Sequence, residues 1–296
     1  MNSQETHKPT MIVILTGASS GIGESFARQL AAKAVADPKK TPRIGLAITG
    51  RNALRLKSLA DELNRTGLID CLPITADLAD PDAPQRIVQD VLNRWGRIDV
   101  LVNNAGYGLP HLFHKTDPAD IQAQIQVDLT APILLTRLAL PYLLKSPAGR
   151  VIQVSSSIST IAYPIFGAYG ACKSGFSYFT DALRRELSGT RVAVTLVEPG
   201  PIKTEFLSRA MEGLEKNDTE RGFIENWPSW VFGTPQQVAA EMINSLDRPK
   251  RRISVTKTAV WPMRLGGLLF QIFPPLGDWF VSKNLRDAGV SPRSED

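Results

Sequence analysis

Tyr169 and Lys173 stand four residues apart in the stretch "GAYGACKSGF" at 167–176. On a helix that spacing puts both side chains on one face, a turn apart. A phenol beside an ammonium is a proton donor with a charge to tune it. It is equally an aromatic and an amine on an ordinary helix, and the spacing alone does not choose. A second stretch bears on the choice. "TGASSGIG" at 16–23 follows a short apolar run and opens an amphipathic one. Glycines at 17, 21 and 23 let the backbone turn tightly and come close to a pyrophosphate. The helix that follows offers free N–H groups and a partial positive charge. In a strand–turn–helix setting this reads as a dinucleotide-binding loop rather than a plain Gly/Ser turn. Its candidate contacts are Gly17, Ser19, Ser20, Gly21, Ile22 and Gly23.

Cofactor choice should show after the second apolar run, "RIGLAITGR" at 43–51. An acidic residue there would hold the ribose 2′-hydroxyl of NAD, whereas a cation accommodates a 2′-phosphate. The segment ends in Arg51, with no Asp or Glu at the turn. Guanidinium suits phosphate by charge and by its forked donors. NADP(H) is therefore expected in preference to NAD(H), with Arg51 as a plain surface cation the alternative.

These residues need a scaffold, and the rest of the chain supplies one. Apolar runs at 11–17, 43–51, 70–78, 98–106, 149–157 and 191–200 read as six buried strands. Amphipathic segments at 24–36, 52–66, 82–96, about 118–145, and from Tyr169 to about Leu187 read as the helices between them. Continuous Val/Ile/Leu strands alternating with helices predict a parallel sheet covered on both faces, the doubly wound α/β architecture of the Rossmann fold. A longer polar loop is expected at 34–43. Residues 203–235 read as a cover rather than core, and a helix resumes at 234–246 with Thr234 as N-cap and Pro235 behind it. One catalytic domain over 1–255 is expected, followed by an apolar helical extension at 256–296.

A length of 296 residues suits one large α/β domain, and 43% hydrophobic with 21% charged residues is ordinary for a globular one. The net charge of +5 comes from scattered basic residues with no aromatic-interleaved stripe, so nucleic acid is not the expected partner. Cys71 and Cys172 are far apart and match no metal spacing, and His111 and His114 lack further ligands spaced to complete a zinc site. Reduced thiols, no metal and a cytoplasmic location are expected. The polar N-terminus is not a secretory signal, and no run of about 18 apolar residues predicts a spanning helix.

Six stretches in order carry a resemblance. They are "TGASSGIG" (16–23), "ADL" (76–78), "NNAG" (103–106), the serines at 155–157, "YGACK" (169–173) and "PGPIKT" (199–204). Over roughly residues 11–203 the chain resembles the short-chain dehydrogenase/reductase family, of the single-domain kind with a TGxxxGxG motif. The glycine spacing differs from the TGxxGxxG usual in the family's extended, epimerase-like branch. The resemblance implies that Asp77 and Leu78 border the adenine and that Asn103 holds the central strands. It places Asn104, Ala105 and Gly106 beside the cofactor, with Pro199, Gly200, Ile202 and Thr204 around the nicotinamide. It makes Tyr169 the general acid and Lys173 the group that lowers its pKa and holds the ribose. Ser156, thirteen residues before Tyr169, would hydrogen-bond the substrate oxygen.

One position departs from the family. Where relatives commonly carry an Asn that holds a relay water, "IQVDLTAP" has Asp128. An ionised Asp accepts hydrogen bonds but cannot donate, and it favours the ammonium form of Lys173. Three readings stay open: the relay survives, turnover slows, or the protein binds cofactor without physiological turnover.

The substrate end is less legible. Walls are expected from Tyr107–Phe113, Ile158–Phe166 and the cover, with Tyr107, Leu109, Phe113, Ile161, Tyr163, Phe166, Phe206, Phe223 and Trp227 as the large side chains. Such a pocket suits a bulky hydrophobic ketone, aldehyde or alcohol. The tail "VWPMRLGGLLFQIFPPLGDWFVSK" (260–283) predicts two short apolar helices, broken at Gly266–Gly267 and Pro274–Pro275. They would cap the pocket, join a dimer or tetramer interface, or lie peripherally on a membrane. The resulting expectation is an NADP(H)-dependent carbonyl reductase or alcohol dehydrogenase acting on a hydrophobic substrate. The alternatives are a non-catalytic NADP(H)-binding regulator or scaffold, and a structural protein that assembles through its tail.

Overall fold

Along the first strand Ile12 and Ile14 point to one face and Val13 and Leu15 to the other, all four fully buried. A strand apolar on both faces needs helices above and below it, and the chain provides both layers. The computed structural model describes residues 9–38, 43–206, 231–255 and 257–287. Five strand–helix steps lead to a sixth strand: β1 (Met11–Leu15), α1 (Gly21–Ala36), β2 (Ile44–Gly50), α2 (Ala53–Asn64), β3 (Ile69–Thr75), α3 (Ala83–Trp95), β4 (Val100–Asn103), α4 (Pro118–Ile125), α5 (Ala131–Leu143), β5 (Arg150–Val154), α6 (Gly167–Glu186) and β6 (Ala193–Pro199). After the cover come α7 (Pro235–Asp247), β7 (Arg252–Val255), α8 (Lys257–Ile272) and α9 (Pro274–Asp287).

The described strands form one parallel sheet in the order β3-β2-β1-β4-β5-β6-β7. One apolar cluster fills the face under α1, α2 and α7, with Phe26, Leu30, Leu56 and Met242 at its centre. The other lies under α3, α5 and the end of α6, around Ile87, Val91, Leu135 and Leu183. The chain reverses its direction of winding between β1 and β4, which leaves a crevice at the carboxyl ends of those strands, where ligands bind in such sheets.

The expected doubly wound sheet is present. Thr234 caps α7 with a full capping box: its Oγ1 accepts from the Gln237 amide at 3.3 Å, and the Gln237 side chain accepts from the Thr234 amide at 3.0 Å. Three features differ from the sequence reading. A seventh strand, "RISV", extends the sheet beyond β6; four residues between charged neighbours carried too little apolar signal. The long helix expected at 118–145 is interrupted by a wide π turn at Gln126–Thr130. Pro132 follows at once. It has no N–H to give the carbonyl four residues back, and its ring crowds that carbonyl, so the helix widens. The tail forms its two helices, but α8 runs straight through Gly266–Gly267 and ends at Ile272, at the break expected before Pro274–Pro275. Gly267 lies against the carbonyl of Thr160, where a Cβ would overlap that oxygen, so the glycine serves close packing rather than a break.

Candidate active site

The loops at the carboxyl ends of β1 through β6 converge on one cavity of about 1020 Å³. At one end the glycine loop is held from below. Thr16 Oγ1 accepts from the amides of Asn104 and Ala105 at 2.9 and 3.0 Å. The Asn104 side chain donates to the carbonyls of Thr16 and Gly17 at 2.9 and 3.1 Å. Gly17 turns with a φ of +68°. Ser20 is the N-cap of α1 but makes no side-chain cap, so the first-turn amides keep their donors for another acceptor. Arg51, exposed at the cavity edge just past Gly50, has no carboxylate partner among the described residues. Arg55, one turn along α2, is tied to Glu205 at 2.7 Å. Asp77, whose side chain accepts from the Ala79 amide at 3.0 Å, and the buried Leu78 line the adjoining wall. Uncapped amides, a free guanidinium and an apolar slot form a donor set that fits a phosphorylated dinucleotide.

The chemistry-bearing side chains lie at the other end. Ser155 fastens α6 to the end of β5, donating to the Lys173 carbonyl at 3.0 Å and meeting Ser177 Oγ at 2.8 Å. That fixes Tyr169 and Lys173 against the turn that carries Ser156. Ser156 Oγ accepts from the Ile158 amide at 3.3 Å, and its side chain draws the Tyr169 phenol down. Lys173 Nζ is buried, 5.7 Å from the centre of the Tyr169 ring, 3.4 Å from the Val154 carbonyl and 2.9 Å from Asp128 Oδ1. Asp128, on the π turn, is wholly buried. Its other oxygen accepts from the Gln124 side chain and from the Tyr107 amide at 3.4 Å. Gly106 passes so close that a Cβ would overlap Asp128 Oδ1.

Charge states follow from this packing. Burial pushes the Asp128 carboxyl above its usual range, against the pull of Lys173. Burial also disfavours the Lys173 ammonium, but Asp128 outweighs it and the lysine is held above its ordinary value. With three donors on the carboxylate, ammonium with carboxylate is the neutral-pH form. Burial raises the Tyr169 phenol as well; Lys173 lowers it, Asp128 raises it again, and the net direction is up. The sequence reading had Lys173 lowering the phenol. Lys173 does lower it, but burial outweighs the lysine and Asp128 adds to the rise.

Of the expected pocket walls, Tyr107, Ile161, Tyr163, Phe166 and Phe206 line the cavity, and Phe206 and Phe166 flank Tyr169 at ring distances of 5.8 and 6.3 Å. Leu109 is not among its lining residues, and Phe113 points to solvent. Phe223 and Trp227 lie outside the described residues. Pro199, Gly200, Ile202 and Thr204 line the middle of the cavity, and Thr204 packs over Gly21. Ile165, a β-branched residue, takes a left-handed φ of 60° just before the wall residue Phe166, a strained backbone position. The amide of Asn104, expected to face cofactor, is used to hold the glycine loop.

Pro262, Gly266, Phe270 and Phe280 of α8 and α9 line the cavity, in keeping with the pocket cap that was one of the places expected for the tail. Sequence reasoning missed one group. Glu198, the second-last residue of β6, is buried. It accepts from Arg252 of β7 at 3.0 Å through both oxygens, from Arg264 of α8, and from Ser159 of the Ser156 turn at 3.3 Å. A glutamate before Pro-Gly inside an apolar strand was the available signal.

A family model described as short chain dehydrogenase matches residues 11–215. The chain is 35% identical over 196 residues to 11-beta-hydroxysteroid dehydrogenase 1A of Arabidopsis thaliana, covering 66% of this chain and 53% of that protein, so the match spans about half of the relative's length. It is 28% identical over 261 residues to an NADP-dependent 3-hydroxy acid dehydrogenase of Schizosaccharomyces pombe, covering 86% of this chain and 93% of that one. The closed form of a serine dehydrogenase complexed with NADP+ has a similar structure, with a TM-score of 0.70 at 27% identity over 83% of this chain and 94% of the other. The chain belongs to the short chain dehydrogenase family.

Proposed function

We propose that this member of the short chain dehydrogenase family is an NADP(H)-dependent oxidoreductase that interconverts a carbonyl and an alcohol on a hydrophobic substrate. One observation carries the reading: Tyr169, flanked by Lys173, lines the same cavity as Ser156 and the glycine-loop cradle. A nicotinamide nucleotide, when bound, supplies or takes up the hydride. The α1 amides would hold its phosphates, Arg51 its 2′-phosphate, and Asp77 with Leu78 would border its adenine. Arg51 and the absence of an acid at that turn support NADP(H) over NAD(H), as does the NADP dependence in the name of the yeast relative.

In the direction of reduction Tyr169 gives its proton to the carbonyl oxygen. Ser156 Oγ is held by the Ile158 amide, and its own proton can be given to the oxygen that gains charge. Lys173 keeps a positive charge beside the phenolate that forms. Phe206 and Phe166 keep water from the ring, and Tyr107, Ile161, Tyr163, Phe270 and Phe280 offer the substrate apolar contact.

A second reading, a cofactor-binding regulator, draws on the neutralisation of Lys173 by Asp128. NADPH consumption with hydrophobic ketones and aldehydes separates the two. Turnover that disappears in Tyr169→Phe while NADPH still binds is the expected result. Tight NADPH binding with no turnover of any panel member would favour the regulator.

A further inference from the structure

Eight of the fifteen exposed large apolar side chains among the described residues fall between Leu265 and Phe280. The others are scattered singly, which is ordinary for a surface. Along that stretch the only polar side chains are Gln271 and Asp278. A protein interface carries roughly one hydrogen bond per 100–200 Å². This face offers almost no donors or acceptors to make them, whereas a hydrocarbon surface asks for none. At its rim Trp279 is 57% exposed, with Lys283 Nζ 5.6 Å from its ring centre, an aromatic-and-cation pairing suited to the headgroup level of a bilayer. With Arg264 committed to Glu198, residues 257–287 keep Lys257, Lys283 and Arg286 against Asp278 and Asp287, a small excess of positive charge that complements anionic lipid. No described helix is long and apolar enough to cross a membrane, so the contact is with its surface.

Phe280 joins this face to the cavity. It is 48% exposed, it lines the pocket, and its ring lies 5.8 Å from that of Phe270, another wall residue. We propose that the outer face of the α8–α9 hairpin docks on an anionic lipid surface, and that the pocket exchanges a lipid-dissolved substrate through the mouth beside Phe280. The second half rests on the oxidoreductase reading; the first does not.

The test is flotation of the full chain with phosphatidylcholine vesicles containing phosphatidylserine, beside the double variant Phe273→Ser/Trp279→Ser, neither of which lines the cavity. The wild-type chain should float, and the vesicle-bound fraction should fall at least tenfold in the variant while NADPH affinity is kept. The variant's KM should rise at least tenfold for a long-chain ketone dissolved in vesicles and stay unchanged for a short water-soluble ketone. A wild-type chain that stays in the soluble fraction overturns the proposal. So does a wild-type dimer that the double variant converts to monomer, which would assign the face to a second copy. Tyr169→Phe should float like wild type, so failed turnover and failed docking are read separately.

Discussion

Asp128→Asn removes a buried negative charge and keeps the shape. Lys173 Nζ is 2.9 Å from Asp128 Oδ1 and 5.7 Å from the centre of the Tyr169 ring, which bounds the carboxylate-to-ring distance at about 9 Å. At an effective dielectric of about 20, a unit charge at about 9 Å is worth about 2 kcal/mol, a little over one pH unit. The sign is fixed by the charges. Asp128 opposes phenolate formation, so its removal lowers the Tyr169 pKa from its raised position. Alcohol oxidation needs the phenolate and should rise with pH through that ionisation. The assay is the pH dependence of kcat/KM for oxidation of a hydrophobic alcohol with NADP+. The midpoint of the alkaline rise should move down by about one unit in Asp128→Asn. An unmoved midpoint, or one that moves up, refutes the idea that Asp128 adds to the rise of the Tyr169 pKa. NADPH affinity, measured by fluorescence, checks that the variant is folded.

Other perturbations have equally definite outcomes. Asp128→Ala leaves the Lys173 ammonium buried without a counter-charge and should cost about 3–5 kcal/mol in denaturant unfolding at neutral pH. Arg51→Ala should weaken NADPH binding by about 10-fold or more, the worth of a charge-assisted hydrogen bond, and leave NADH binding unchanged in parallel titrations. Glu198→Gln weakens the tie of Arg264 to the sheet while Arg252 keeps Asp181, so thermal unfolding should begin earlier and KM for a bulky ketone should rise with NADPH affinity kept. Gly267→Val should push α8 off the Thr160 carbonyl at a cost of about 1–3 kcal/mol, again with KM moving more than cofactor affinity.

The sheet was legible because buried parallel strands leave continuous Val/Ile/Leu runs, and the glycine loop because close approach to phosphate demands small residues at fixed intervals. Tyr169, Lys173, Ser156 and Asp128 were legible as positions, and the structure brings all four together. Their charge balance was not, since the direction of the Tyr169 shift depends on burial and on an ion pair formed across 45 residues of chain, between Asp128 and Lys173. β7 escaped because four residues at a sheet edge need only two inward apolar side chains. Gln124, which holds Asp128, reads as an ordinary polar residue on α4 until the fold turns it inward. The course of α8 through Gly267 escaped for a different reason. Gly267 reads as a helix breaker in one dimension and as a contact point in three.

Glu198 ties the history of the tail to that of the sheet. Its buried carboxylate meets an arginine from β7 and another from α8, so the hairpin reaches the sheet by charge as well as by apolar contact. A chain shortened after β7 would lose a wall of its pocket and strand half of an ion cluster in the same step. Swapping this tail for that of another relative would transfer its substrate preference only if the glutamate or its partner were changed with it. The α8–α9 hairpin therefore behaves as a fixed wall of the pocket, although the sequence presents it as an appendage.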